Sequence, residues 1–205
     1  MKSRSPHFSD DNNQILLSSE HTILVIVDHQ VAFKSCFHES SLDVAENGVA
    51  ELADAASKAN IPIITSLVKT NLIDYKLSAT LESKIPQLTR INRNVVNPWD
   101  DPVFVEAVQS ANRPCLLIAG LSAETSMSFT ALGGLARGLD VFVIKDACLG
   151  HSDQSIATTF ERLTQAGVVP VSWRQVIMEW NQGNVEAHLL RRILRPKRSS
   201  TRITK

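Results

Sequence analysis

Five apolar residues in a row, Ile23 to Val27 (ILVIV), stop abruptly at Asp28. A strand with one wet face alternates apolar and polar residues. An uninterrupted β-branched run is instead the mark of a strand buried on both faces, as in a parallel sheet covered by helices. The same pattern returns at Ile61–Ser66 (IPIITS), Cys115–Ala119 (CLLIA), Val141–Ile144 (VFVI) and Val168–Ser172, with a weaker candidate at Gln87–Asn92. Between these runs the spacing turns helical over Leu42–Asn60, Pro102–Ala111, Ser126–Arg137 and Asp153–Ala166. Gly138 and Gly167 stop the last two, and Pro102 stands at a helix start, where a missing N–H is harmless. Two further helical stretches fall near Trp173–Trp180 and Val185–Leu194. Repeated strand–helix alternation predicts an α/β fold, a doubly wound, mostly parallel six-stranded sheet between helix layers, a Rossmann-like three-layer sandwich.

The chain divides by composition into three parts. Residues 1–14 are polar and read as a flexible lead, and residues 15–190 as one α/β domain. Residues 191–205 (RRILRPKRSSTRITK) form a basic tail with seven Lys or Arg and no acid. The formal net charge of zero, from 21 basic and 21 acidic residues, is therefore a cancellation, because residues 1–190 carry a net of −7. That balance speaks against a surface built for nucleic acid or anionic lipid. The tail reads either as a frayed end or as a contact with an acidic neighbour subunit. No segment has the ~18 to 20 apolar residues that span a bilayer, and the N-terminus carries no signal core. An odd count of 3 cysteines is no disulfide framework and fits a reducing compartment. A cytoplasmic protein without a membrane partner is expected.

In an open parallel sheet, ligands bind beyond the carboxyl ends of the strands, where strand order reverses. The polar residues after each run are thus the candidates. They are Asp28, His29 and Gln30; Ser66 and Lys69; Arg93, Asn97 and Trp99; Ser122, Glu124, Thr125 and Ser126; and Asp146, Cys148 and His151. A carboxylate at the rim of a buried sheet has the tunable pKa that acid–base chemistry needs, although Asp28 equally suits a loop or helix cap. Arg93 reads as a partner cation for Asp28, as an oxyanion stabiliser, or as a surface ion pair. Gly120 to Ser126 runs from a strand into a helix, whose first N–H groups favour an anion, while its hydroxyls are also ordinary caps. Cys115 lies within an apolar strand and reads as inert, and Cys36 sits in a polar loop with no obvious base in sequence. Cys148 leaves both readings open. The histidines show no ligand spacing, and Walker and GxGxxG motifs are absent, so neither a metal nor a cofactor is expected.

Taken together, ILVIVDHQ at 23–30, NVVNPWDDPVFVEAV at 94–108, LLIAGLSAETS at 116–126, GLDVFVIKDAC at 138–148 and RLTQAGVVPVSW at 162–173 resemble the isochorismatase-like (cysteine hydrolase) superfamily. The resemblance spans about residues 15–185 and is nearest to short bacterial members that form oligomers and have no settled substrate. It implies a hydrolase of a small amide or vinyl ether, working as a homo-oligomer. In such enzymes an Asp takes a proton from a Cys, the thiolate attacks, and a Lys or Arg supports the charge. Residue by residue, the resemblance places the Asp at Asp28 and the cation at Arg93, with Asn92 one position away. The nucleophile falls on Ser126, a hydroxyl where the family keeps its thiol. Gln30, Asn97, Trp99, Leu121, Ser122 and Thr125 would then line the substrate or oxyanion site, and a cis peptide near Leu121–Ser122 is implied. The basic-aromatic segment of true isochorismatases is not present ahead of Trp99. Two alternatives stand beside the hydrolase: a catalytically lapsed ligand-binding or scaffold protein, and an interaction module driven by the tail.

Overall fold

The computed structural model describes residues 16–37, 39–71, 74–85 and 89–181. The N-terminal lead, the helical stretch at 185–194 and the basic tail lie outside the described residues. Six strands form a single sheet: β1 (Thr22–Val27), β2 (Ile63–Val68), β3 (Thr89–Arg93), β4 (Cys115–Gly120), β5 (Asp140–Cys148) and β6 (Val169–Val171). Their order is β3-β2-β1-β4-β5-β6, and every pairing is parallel. The order reverses between β1 and β4, which makes the ends of those two strands the switch point of the sheet. β1 is buried along its whole length because it is central and covered on both faces.

The helices close the two faces. On one face α1 (Glu39–Lys58), α2 (Ala79–Lys84) and α6 (Trp173–Trp180) bury residues such as Val49, Leu81 and Ile177 against Leu24, Ile26 and Ile144 of the sheet. On the other, α3 (Pro102–Ala111), α4 (Ser128–Ala136) and α5 (Asp153–Ala166) pack Phe104, Ala131 and Phe160 against Ile23, Val25 and Ile118. The alternate residues of β1 thus serve opposite cores, as a two-sided strand requires. Among the described residues no helix is long and apolar enough to cross a membrane.

The structure departs from the sequence expectations at several edges. β2 begins at Ile63 rather than Ile61, and β3 is Thr89–Arg93, so Arg93 is the last residue of a strand and not a loop residue after it. β5 runs on to Cys148, which places Asp146 and Cys148 in the strand instead of the following loop. Helix α2 was not foreseen; its six residues are too few to show a period, and Ser78 caps it by accepting from the Leu81 amide. The helix expected from Ser126 begins with a π-helical turn at Ala123–Met127 before the regular α4. Gly133 and Gly134 are packing residues. A Cβ on Gly133 would lie 2.1 Å from the Trp99 ring, so only glycine lets the indole rest on α4.

Candidate active site

The parallel register sets the strand ends side by side. Val27 pairs with Ser66 on one flank and with Gly120 on the other, while Val68 pairs with Arg93. Gly120 faces Val27 so closely that a Cβ there would sit 3.0 Å from it, which keeps the ends of β1 and β4 together. Just past β1, Asp28 adopts a left-handed backbone with φ of 56°. Aspartate tolerates this conformation better than most residues.

Both carboxylate oxygens of Asp28 accept from Arg93 Nη2, at 2.8 and 3.0 Å. Arg93 Nη1 donates to the Ser66 hydroxyl at 3.0 Å, and the Val68 amide donates to Asp28 at 3.2 Å. Arg93 is fully buried and Asp28 nearly so, at 0% and 1% exposure. The surface-pair and capping readings therefore fall away for these two residues. Burial raises the Asp28 carboxyl above its ordinary range, against the opposing pull of the Arg93 charge and of hydrogen bonds from Ser126, Arg93 and Val68. A carboxyl lifted in this way accepts or delivers a proton near neutrality more readily than an exposed one. The Arg93 Nε–H has no acceptor among the described residues, so the guanidinium keeps one donor uncommitted.

Ser126 reaches this pair from the π-helical turn after β4 and is itself buried. The turn is anchored from behind. The Ser128 hydroxyl donates to the Ala123 carbonyl at 2.6 Å, and Thr130 donates to the Ser126 carbonyl at 2.7 Å. A π turn adds a residue to the helical circuit and re-aims the side chain it carries. The implied cis peptide is not found: every peptide bond among the described residues is trans, and Ser122 makes the sharp turn with a φ of 57° instead.

The other candidates separate by position. Gln30 belongs to the cluster, accepting from the Val68 amide at 2.9 Å while its Nε2 donates to the Val68 and Asp74 carbonyls. Leu121 lies at the site, but its amide already donates to the Val27 carbonyl at 3.0 Å. Ser122 is half-buried and Thr125 exposed, both on the rim of the same turn. Asn97 caps the short helix Pro98–Asp100 by accepting from the Trp99 amide. Trp99 is buried against Phe104, with its indole N–H donating to the Thr130 carbonyl at 2.8 Å. Asn97 thus shapes the turn that follows Arg93, and Trp99 braces α4. Asn92 precedes Arg93 in β3 and lies on its exposed side, which leaves Arg93 as the cation facing Asp28.

Ser66 is a member of the cluster whose role spacing did not reveal; it was visible only as a polar residue ending an apolar run. His29 is wholly buried beside Asp28. The backbone of Ala147 lies against its ring, yet neither ring nitrogen reaches full hydrogen-bond geometry, and burial lowers its pKa to about 4. Burial pushes Cys115 up to about 11 and Cys148 up to about 12, so both thiols stay protonated and inert at neutral pH. No group of three or more His, Cys, Asp or Glu able to hold a metal occurs among the described residues.

The isochorismatase domain matches residues 22–175 of this chain. The probable hydrolase YcaC of Escherichia coli K12 is 30% identical over 166 residues, covering 80% of each chain. The crystal structure of the E. coli YcaC gene product, described as an octameric hydrolase of unknown specificity, superimposes with a TM-score of 0.76 at 29% identity. It covers 81% of this chain and 82% of its own. YcaC from Pseudomonas aeruginosa, solved with hexane-2,5-diol and covalent acrylamide, gives 0.73 at 29% identity over 84% of each chain. The chain belongs to the isochorismatase family.

Proposed function

We propose that this protein is a hydrolase of a small amide or vinyl ether. Asp28 serves as proton carrier, Arg93 as charge stabiliser, and Ser126 as a weak nucleophile or a group that orients water. The observation that carries the reading is the buried pair itself: a carboxyl raised by burial, held by one edge of a guanidinium, with the Ser126 hydroxyl against it. The uncommitted Arg93 Nε–H is a donor available to charge that develops on a substrate oxygen. A serine hydroxyl ionises far above a thiol and needs a base to act as nucleophile. Protonation of a vinyl ether by Asp28, followed by water attack, asks less of Ser126 than amide cleavage does. Gln30, Leu121, Ser122 and Thr125 are the proposed wall of the substrate site, with Asn97 and Trp99 supporting it. By likeness to the octameric YcaC structure, the working form is a homo-oligomer.

The test is hydrolysis of a panel of small amides and vinyl ethers by the full chain. Asp28→Asn should lower the rate by about a hundredfold or more, the usual scale of a lost acid–base group. An unchanged rate overturns the reading. A second reading, a lapsed enzyme that retains only ligand binding, is favoured by the hydroxyl at position 126. It is supported if no substrate turns over while ligands that protect the fold still bind.

A further inference from the structure

A second group of reactive side chains lies at the same end of the sheet, on the far side of the Ser126 turn. Cys36 closes the 3-10 segment after β1, and His151 follows β5 just ahead of α5. They are 115 positions apart in sequence, yet both line one cavity of about 540 Å³. Phe37, Leu149 and Ile156 give that cavity an apolar wall. Cys36 and His151 are both exposed, so thiol and imidazole are open to a ligand.

The segment that carries the imidazole is held by a carboxylate. Glu124 accepts from the His151 backbone amide at 2.6 Å and from the Ser155 hydroxyl, and the His151 charge acts on its carboxylate. Gly150 makes this approach possible, since a Cβ there would fall 2.6 Å from the Glu124 carboxylate. Asp153, at the first position of α5, is an acid on the cavity wall. Cys36, His151 and the Asp153 carboxylate share this pocket, and a thiol with an imidazole to take its proton is the pair from which thiol nucleophiles are built.

We propose that Cys36 and His151, the latter held through its backbone by Glu124, form a second nucleophilic site, distinct from Asp28, Arg93 and Ser126, that accepts the acyl group of small uncharged esters. His151 takes the thiol proton. The Cys36 sulfur forms a bond to the acyl carbon while the bond to the leaving oxygen breaks, and the imidazolium proton passes to that oxygen. Water then cleaves the thioester to free acid and thiol, with His151 again moving the proton. No oxidant or metal is required.

The probe is p-nitrophenyl acetate with the full-length protein, following p-nitrophenol release and locating the acetyl group by peptide mass. Wild type is expected to carry acetyl on Cys36, and Cys36→Ser to lose it. His151→Gln, at an exposed position that leaves the core untouched, should slow Cys36 acetylation by about tenfold or more at neutral pH. Its pH–rate curve should then follow a simple thiol. Ser126→Ala should acetylate Cys36 at the wild-type rate, so failure of the Asp28 chemistry and failure of this site are read separately. The proposal is overturned if acetyl is found elsewhere than Cys36, or if His151→Gln acetylates Cys36 as fast as wild type.

Discussion

Arg93 Nη2 binds both carboxylate oxygens of Asp28, at 2.8 and 3.0 Å, with neither side chain exposed to solvent by more than 1%. Two opposite charges in so dry a place depend on each other. Each removed alone leaves the other unpaired in a medium that cannot solvate it.

Arg93→Met should therefore cost about 3 to 5 kcal/mol of stability, as should loss of the Asp28 charge. Adding Asp28→Leu to Arg93→Met should recover much of that loss, since the orphaned charge goes with its partner. Urea unfolding of the two single variants and the double variant measures the coupling. Additive losses would show that the pair is not a unit.

Acid should weaken the fold through His29. The buried ring has a pKa of about 4, against 6.5 for the free side chain, so the unfolded chain binds the proton more tightly. The contribution is fully present above pH 6.5 and is lost progressively as pH falls towards 4. Its full size is about 3 kcal/mol. His29→Leu should flatten the stability–pH curve in that window, as read by thermal melts across the range. A curve of unchanged slope would mean that His29 does not carry the effect.

Ser126→Cys should strengthen the amide branch of the proposed chemistry. A thiol beside the raised Asp28 carboxyl and the Arg93 charge loses its proton far more easily than a hydroxyl. Amide hydrolysis is expected to rise by about tenfold or more. No gain, in a variant whose melting temperature is unchanged, would show a cleft no longer shaped for nucleophilic attack.

Gly133→Ala tests the packing under the site. The new methyl would meet the Trp99 ring at 2.1 Å, and Trp99 can withdraw only by giving up its bond to the Thr130 carbonyl. Destabilisation of about 1 to 3 kcal/mol follows from such overpacking. Trp99→Phe in the same background should relieve part of it, and a calorimetric melt separates the two.

The strand runs were legible because burial on both faces leaves an unbroken apolar signature, and this set the parallel sheet and the location of Asp28 at its rim. The sequence determined that Asp28 follows β1 and that Ser122 to Ser126 follow β4, whereas Arg93, Asp146 and Cys148 lie within strands they were read as following; Ser126 was placed by the ordered motifs around it. It could not show α2, which is too short for a period, nor the extension of β5 through Lys145 and Asp146, whose charges look like loop. Tertiary structure alone decided that Arg93 of β3 crosses β2 to reach Asp28, that Ser66 holds its other nitrogen, and that His151 meets Glu124. Those contacts join residues 27 to 65 positions apart. Local spacing encodes which face of one element is apolar. Which charges meet across strands depends on register and twist, and these are settled only when the whole sheet packs.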